Sequence, residues 1–173
     1  SILKDFSDRT ITCMAPSKTF NVAGLSTSVA IIANKDLLRK FKATIARLGI
    51  GMNNLFGIFA LRSAYLHCED WLEELLVYLE GNADFLVKYI ETNIPKIKVR
   101  KPEATYLAWL DFRELGLDQD SLVKLLVKKA KVGLNDGMEF GPGGEGFMRL
   151  NFACPRSVLE EGLKRIENAV NEL

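Results

Sequence analysis

An apolar stripe through the middle of the chain constrains its fold most. Leu72, Leu75, Leu76, Leu79, Ala83, Leu86 and Ile90 recur at helical spacing from about Glu69 to Thr92, so one face of a single long helix is apolar. Gly81 interrupts the stripe at modest cost. A helix this long in an otherwise compact chain joins two bodies. The expected division is a first body over 1–70, a connecting helix over 71–95 and a second body over 96–173.

Before the helix, Thr10 to Met14 carries β-branched residues and ends near Pro16, as a short buried strand would. Val29 to Ala33 is a second apolar run of strand length, and Ser17 to Ser28 between them is a polar loop. Lys35 to Leu48 places Leu37, Leu38, Phe41, Ile45 and Leu48 at helical spacing and stops at Gly49. Asn53 to Leu66 reads as another helix. Two strands and two helices do not easily close a sheet core, and Ser1 stands directly before the first strand, so a truncated domain is expected.

After the long helix, strands alternate with helices. Lys98 to Arg100 and Tyr106 to Phe112 read as strands, and Asp120 to Lys131 as a helix with Leu122, Leu125 and Leu126 inward and lysines at its C-terminal end. Phe147 to Phe152 is a strand. The last helix is expected from Ser157, where Ser157 and Glu160 have capping-box spacing, with Leu159, Leu163, Ile166 and Val170 buried. This part is a small α+β unit.

Bulk properties exclude more than they assign. The formal net charge of +1 over 173 residues makes no electrostatic case for nucleic acid or a membrane surface. The apolar runs are too short and too broken by charge to span a bilayer, and Ser1 to Arg9 lacks the pattern of a signal peptide. Cys13, Cys68 and Cys154 are odd in number and have no metal-ligand spacing, which fits a reduced, cytoplasmic setting. The single His67 has no second histidine to join in a metal site or relay, and reads as a partly exposed helix residue.

Two residues could carry chemistry. Lys18 stands at the end of a strand and the start of a polar loop, where ligand sites gather. Beside Met14 and Phe20 its amine would be nucleophilic enough to condense with an aldehyde; otherwise it is a solvated loop lysine. Arg149 interrupts the apolar strand Phe147 to Phe152. It is either a buried guanidinium awaiting a substrate carboxylate or an edge or surface arginine. Gly137, Gly141, Gly143, Gly144 and Gly146 crowd the loop from Asn135 to Gly146 without a Walker-type ending, so a flexible turn or lid is expected rather than a phosphate loop. Tyr106, Trp109 and Phe140 could shape a pocket, although aromatic residues at strand positions are more often core.

Three segments together resemble the fold-type-I pyridoxal-phosphate (PLP) enzymes of the aspartate-aminotransferase superfamily. They are Ala15 to Asn21 (Ala-Pro-Ser-Lys-Thr-Phe-Asn) with Ala23-Gly24-Leu25, then Leu134 to Gly137 with Phe140-Gly141, then Gly146 to Arg156 (Gly-Phe-Met-Arg-Leu-Asn-Phe-Ala-Cys-Pro-Arg). Within class I/II aminotransferase-like proteins the branch most resembled includes the cystathionine β-lyases, or C–S lyases. The resemblance implies an α/β fold: the end of the large α/β PLP-binding domain followed by the small C-terminal α+β domain.

It also implies roles. Lys18 matches the lysine that forms the Schiff base with PLP and then moves the substrate α-proton. Arg149 matches the arginine that binds the α-carboxylate, and Ser17 a position near the cofactor phosphate. Asn53 and Asn54 match a stretch near the partner subunit's site. Many members carry a serine at the position of Ala15 and an arginine at that of Ser26, so those two phosphate contacts do not carry over. The residues that pair with the pyridine nitrogen, stack on the ring and cradle most of the phosphate lie upstream of the lysine strand in the family, before Ser1. An amino-acid substrate and a homodimeric intact enzyme are therefore expected, with the chain alone an incomplete catalyst. The alternative is a catalytically inert domain or a regulatory or interaction module derived from such an enzyme.

Overall fold

A computed structural model describes residues 4–51 and 54–173. The chain divides into two compact units, Ser1–Glu74 and Leu75–Leu173.

In the first unit a 3-10 turn, Lys4–Arg9, leads into strand β1 (Ile11–Met14). β1 pairs antiparallel with β2 (Val29–Ile32), in the register Ile11 to Ile32 and Met14 to Val29. Every β1 residue is exposed, against the expectation of a buried strand. Among the described residues the two strands pair only with each other, and nothing described in the unit covers β1. Helix α1 (Lys35–Arg47) begins where the Asn34 side chain accepts hydrogen bonds from the Asp36 and Leu37 amides at 2.9 and 3.0 Å. It ends at Gly49, whose φ of +67° suits a glycine stop. Leu37, Leu38, Phe41 and Ile45 are half-buried, whereas Leu48 is exposed.

Helix α2 (Leu55–His67) is capped by Asn54, which accepts from the Phe56 amide at 3.1 Å; the expected start at Asn53 lies outside the described residues. α2 sits against the loop before β2 through Gly57, where a Cβ would collide with the Thr27 hydroxyl and the Leu25 carbonyl. His67 is an exposed residue of its last turn.

Helix α3 (Glu69–Asn93) is the long helix expected, unbroken at Gly81. Its stripe is buried only in the second half, at Ala83, Leu86 and Ile90, while Leu76 is 50% exposed.

In the second unit, strands β3 (Lys98–Val99), β4 (Leu107–Asp111), β5 (Asn135–Asp136) and β6 (Phe147–Asn151) form an antiparallel sheet in the order β3-β4-β6-β5. Ala108, Leu110, Met148 and Leu150 face the core, packed with α3, with helix α4 (Gln119–Lys124) and its π-helical continuation Leu125–Ala130, and with helix α5 (Arg156–Asn171). Leu122, Leu125, Leu126, Leu159, Leu163, Ile166 and Val170 are all buried, as their spacing demands. This is the α+β unit expected: helices on one face of an antiparallel sheet.

The start of α5 differs from the sequence reading. The helix begins at Arg156, after Pro155, with no side-chain cap, so Ser157 and Glu160 do not form a capping box. The Arg156 amide, a donor left free at a helix start, is instead taken by the Tyr78 hydroxyl at 2.7 Å. Asn82, fully buried on α3, donates to the carbonyls of Phe152 and Cys154, both at 2.9 Å, and accepts from Arg156 Nε at 2.8 Å. These contacts from α3 determine where the chain turns into α5.

Candidate active site

Lys18 lies in a turn that Pro16 to Asn21 close locally. The Phe20 amide donates to the Pro16 carbonyl at 2.9 Å and the Val22 amide to the Ser17 carbonyl at 3.1 Å. Asn21 takes a left-handed φ of 53°, a conformation that asparagine tolerates better than most residues. Phe20 anchors the turn, its ring 5.3 Å from that of Tyr65 and 6.3 Å from that of Trp71. Pro16 is buried, Ser17 half-buried and Lys18 exposed. The apolar flanking expected of Lys18 is therefore absent among the described residues. Met14 is itself 50% exposed, and Phe20 packs on Tyr65 and Trp71. The Lys18 amine has no ion-pair partner among the described residues and is accessible to an incoming carbonyl compound.

Arg149 stands in the second unit, near the middle of β6. Strand register sets it opposite Trp109 on one side and Asn135 on the other. Alternation then puts it on the face opposite Met148 and Leu150, away from the core. That face is not bare. The guanidinium lies over the Phe140 ring, 4.4 Å from its centroid, and Nη2 donates to Asn135 Oδ1 at 3.1 Å. Nε is buried and has no hydrogen-bond partner among the described residues. Arg149 is half-buried and has no carboxylate partner among the described residues. It thus fits neither a solvated surface arginine nor a satisfied structural ion pair. It also borders a cavity of about 700 Å³ shared with Asn135, Asn151, Ser157 and Arg165.

Trp109, which strand position alone assigns to the core, and Phe140 of the glycine-rich loop are 38% and 49% exposed and flank this arginine. Their rings meet edge to face at 5.5 Å, and Trp109 stacks on Phe147 at 5.6 Å. Tyr106 does pack on the core. The glycine-rich loop makes close contacts within itself. Asp136 Oδ1 accepts from the Met138 amide at 2.9 Å, and a Cβ on Gly137 would collide with the Gly144 carbonyl. Ser17 and Lys18 belong to the first unit, Arg149 to the second.

Two polar side chains escaped the sequence reading, the buried Asn82 and the half-buried Gln119. Asn82 falls within the apolar stretch of α3, and a polar residue in such a stretch signals an internal hydrogen-bonding role. Gln119, next to the Asp118 cap, gives no comparable signal. Among the described residues no group of His, Cys, Asp and Glu could hold a metal ion, and no helix is long and apolar enough to cross a membrane.

No protein-family model matches the chain. It is 45% identical over 171 residues to the cystathionine beta-lyase PatB of Bacillus subtilis, covering 99% of this chain and 44% of PatB. It superposes with a TM-score of 0.94 on a PLP-bound protein from Clostridium difficile 630, at 51% identity over 99% of this chain and 44% of that one. Cystalysin from Treponema denticola, which contains pyridoxal 5'-phosphate, superposes with a TM-score of 0.92 at 38% identity, again over 99% of this chain and 44% of cystalysin. The chain therefore spans less than half the length of these relatives. In sequence and in fold it is a homologue of the PLP-dependent cystathionine β-lyases and aminotransferases of fold type I, corresponding to their C-terminal part.

Proposed function

We propose that this chain provides the lysine and the carboxylate-binding arginine of a PLP-dependent C–S β-lyase or aminotransferase acting on an amino acid. The observation that carries the reading is the half-buried guanidinium of Arg149, oriented by Asn135 and Phe140 yet lacking any described anionic partner. A cation held in place and left uncompensated is a prepared site for a carboxylate. The accessible Lys18 amine beside the half-buried Ser17 fits the cofactor's demands.

When bound, PLP supplies an aldehyde carbon and a ring that draws electrons from the substrate α-carbon. Lys18 would hold the cofactor through Nζ, and its amine would serve as the group that moves the substrate α-proton. Ser17 would contribute to holding the cofactor phosphate, and Arg149 would bind the substrate α-carboxylate. In this reading 1–70 is the end of the large PLP-binding domain, 71–95 the connecting helix and 96–173 the small domain. The intact enzyme is a cytoplasmic homodimer. Support for a subunit contact comes from α2, whose Leu55, Phe56, Phe59 and Leu66 are all exposed; support for a reducing compartment comes from three free cysteines.

Three measurements on the intact protein test the reading. Adding PLP produces a visible absorption band that Lys18→Ala abolishes; no band in the wild type refutes the proposal and favours an inert module. With cystathionine, pyruvate and ammonia formed without a keto-acid acceptor identify the lyase, and a strict acceptor requirement identifies the aminotransferase. Arg149→Ala lowers kcat/KM by about a hundredfold or more, the cost of losing a buried charge-assisted partner.

A further inference from the structure

We propose that Gln119 is a positioning residue for Arg149, because its carboxamide closes the loop that holds the guanidinium; the proposal rests on reading Arg149 as the carboxylate anchor. Gln119 is the first residue of α4. The adjacent Asp118 takes the capping role there, accepting from the Ser121 amide at 2.7 Å, which leaves the Gln119 side chain free for other contacts. Its two ends grip the two ends of the glycine-rich loop. Nε2 donates to Asp136 Oδ1 at 2.6 Å, and Oε1 accepts from the Gly146 amide at 2.7 Å.

Both anchor points adjoin the arginine's neighbours. Asp136 follows Asn135, the residue whose Oδ1 accepts from Arg149. Gly146 precedes β6, the strand that carries Arg149. Between them the loop presents Phe140, on whose ring the guanidinium rests at 4.4 Å. An arginine side chain is long and rotamer-rich, and each hydrogen bond or stacking contact limits its freedom. The β5–β6 pairing sets Asn135 opposite Arg149, and the closed loop keeps the Phe140 ring under the guanidinium. Gln119 bonds to both ends of the loop through one side chain. Its two hydrogen bonds need a donor at one end and an acceptor at the other, which a carboxamide supplies and a carboxylate or a thioether does not.

The test uses Gln119→Met, which retains the side chain's length and removes both hydrogen bonds. Amide exchange at Gly146, which requires no cofactor, should quicken about tenfold, as expected for the loss of one hydrogen bond. On the PLP-loaded intact protein, Kd for an amino acid should rise about tenfold, while Kd for the corresponding amine lacking the carboxylate stays unchanged and kcat is retained. Phe140→Leu, which spares the Gln119 bonds, should weaken the amino acid alone and leave Gly146 exchange as it was. Unchanged Gly146 exchange in Gln119→Met overturns the clamp. Equal weakening of amino acid and amine overturns its action through Arg149. If the wild type binds amino acid and amine equally, Arg149 is not the carboxylate anchor and the positioning role falls with it, whereas a missing PLP band refutes the proposed function separately.

Discussion

Asn82→Ala should destabilise the second unit by about 4 kcal/mol. Asn82 is fully buried and makes three hydrogen bonds, to the Phe152 and Cys154 carbonyls and from Arg156 Nε. Each is worth about 1 kcal/mol net, and stranding a buried carbonyl such as that of Phe152 adds about 1 kcal/mol more. With a urea m-value of about 2 kcal/mol/M, the unfolding midpoint falls by about 2 M. The chain has two tryptophans, Trp71 and Trp109, so a Trp71→Phe background leaves Trp109 as a fluorescence reporter within the sheet of the second unit. Asn93→Ala is the control. It is the same residue type on the same helix, but its bond to the Tyr89 carbonyl is exposed, and its loss costs no more than about 0.5 kcal/mol. Equal effects of the two substitutions, or a loss below about 1 kcal/mol for Asn82→Ala, would refute the assignment of Asn82 as the buried latch between α3 and the turn into α5.

Tyr89 should give a titration signature. Its hydroxyl is desolvated by burial and donates to Glu167 Oε2 at 2.5 Å, which pushes its pKa up to about 12. Because the folded value lies above the ordinary 10.0, the stabilisation is complete below pH 10 and is lost as pH rises through the folded value. Ultraviolet titration should show one tyrosine ionising near pH 12, and Tyr89→Phe should remove that alkaline loss of stability. Gly137→Ala should cost about 2 kcal/mol in a denaturation experiment, since the new methyl meets the Gly144 and Phe147 carbonyls. Gly133→Ala, where the space is open, should be near neutral.

The chemistry was legible only through motifs. Neither Lys18 nor Arg149 is distinguished by its own type or periodicity, and both gained meaning from segments that resemble a family. The setting of Arg149 was out of reach, because alternation along β6 defines two faces without saying which one is core. The sheet decides that. Once Met148 and Leu150 pack on the helices, Arg149 must share the other face with Trp109 and Asn135.

The sequence by itself determined the local pieces: the span of α3, the stop of α1 at Gly49, and the inward stripes of α4 and α5. These depend on spacings of a few residues, and backbone geometry converts such spacings directly into faces and ends. Only the tertiary structure decided how those faces are used. The α3 stripe is buried from Ala83 onward and open at Leu76, and β1 is exposed despite its apolar residues. α5 starts at Arg156 because Tyr78 and Asn82 reach it from a helix more than 70 residues earlier. Burial and hydrogen-bond partners at that distance come from packing, and no local pattern in the sequence encodes them.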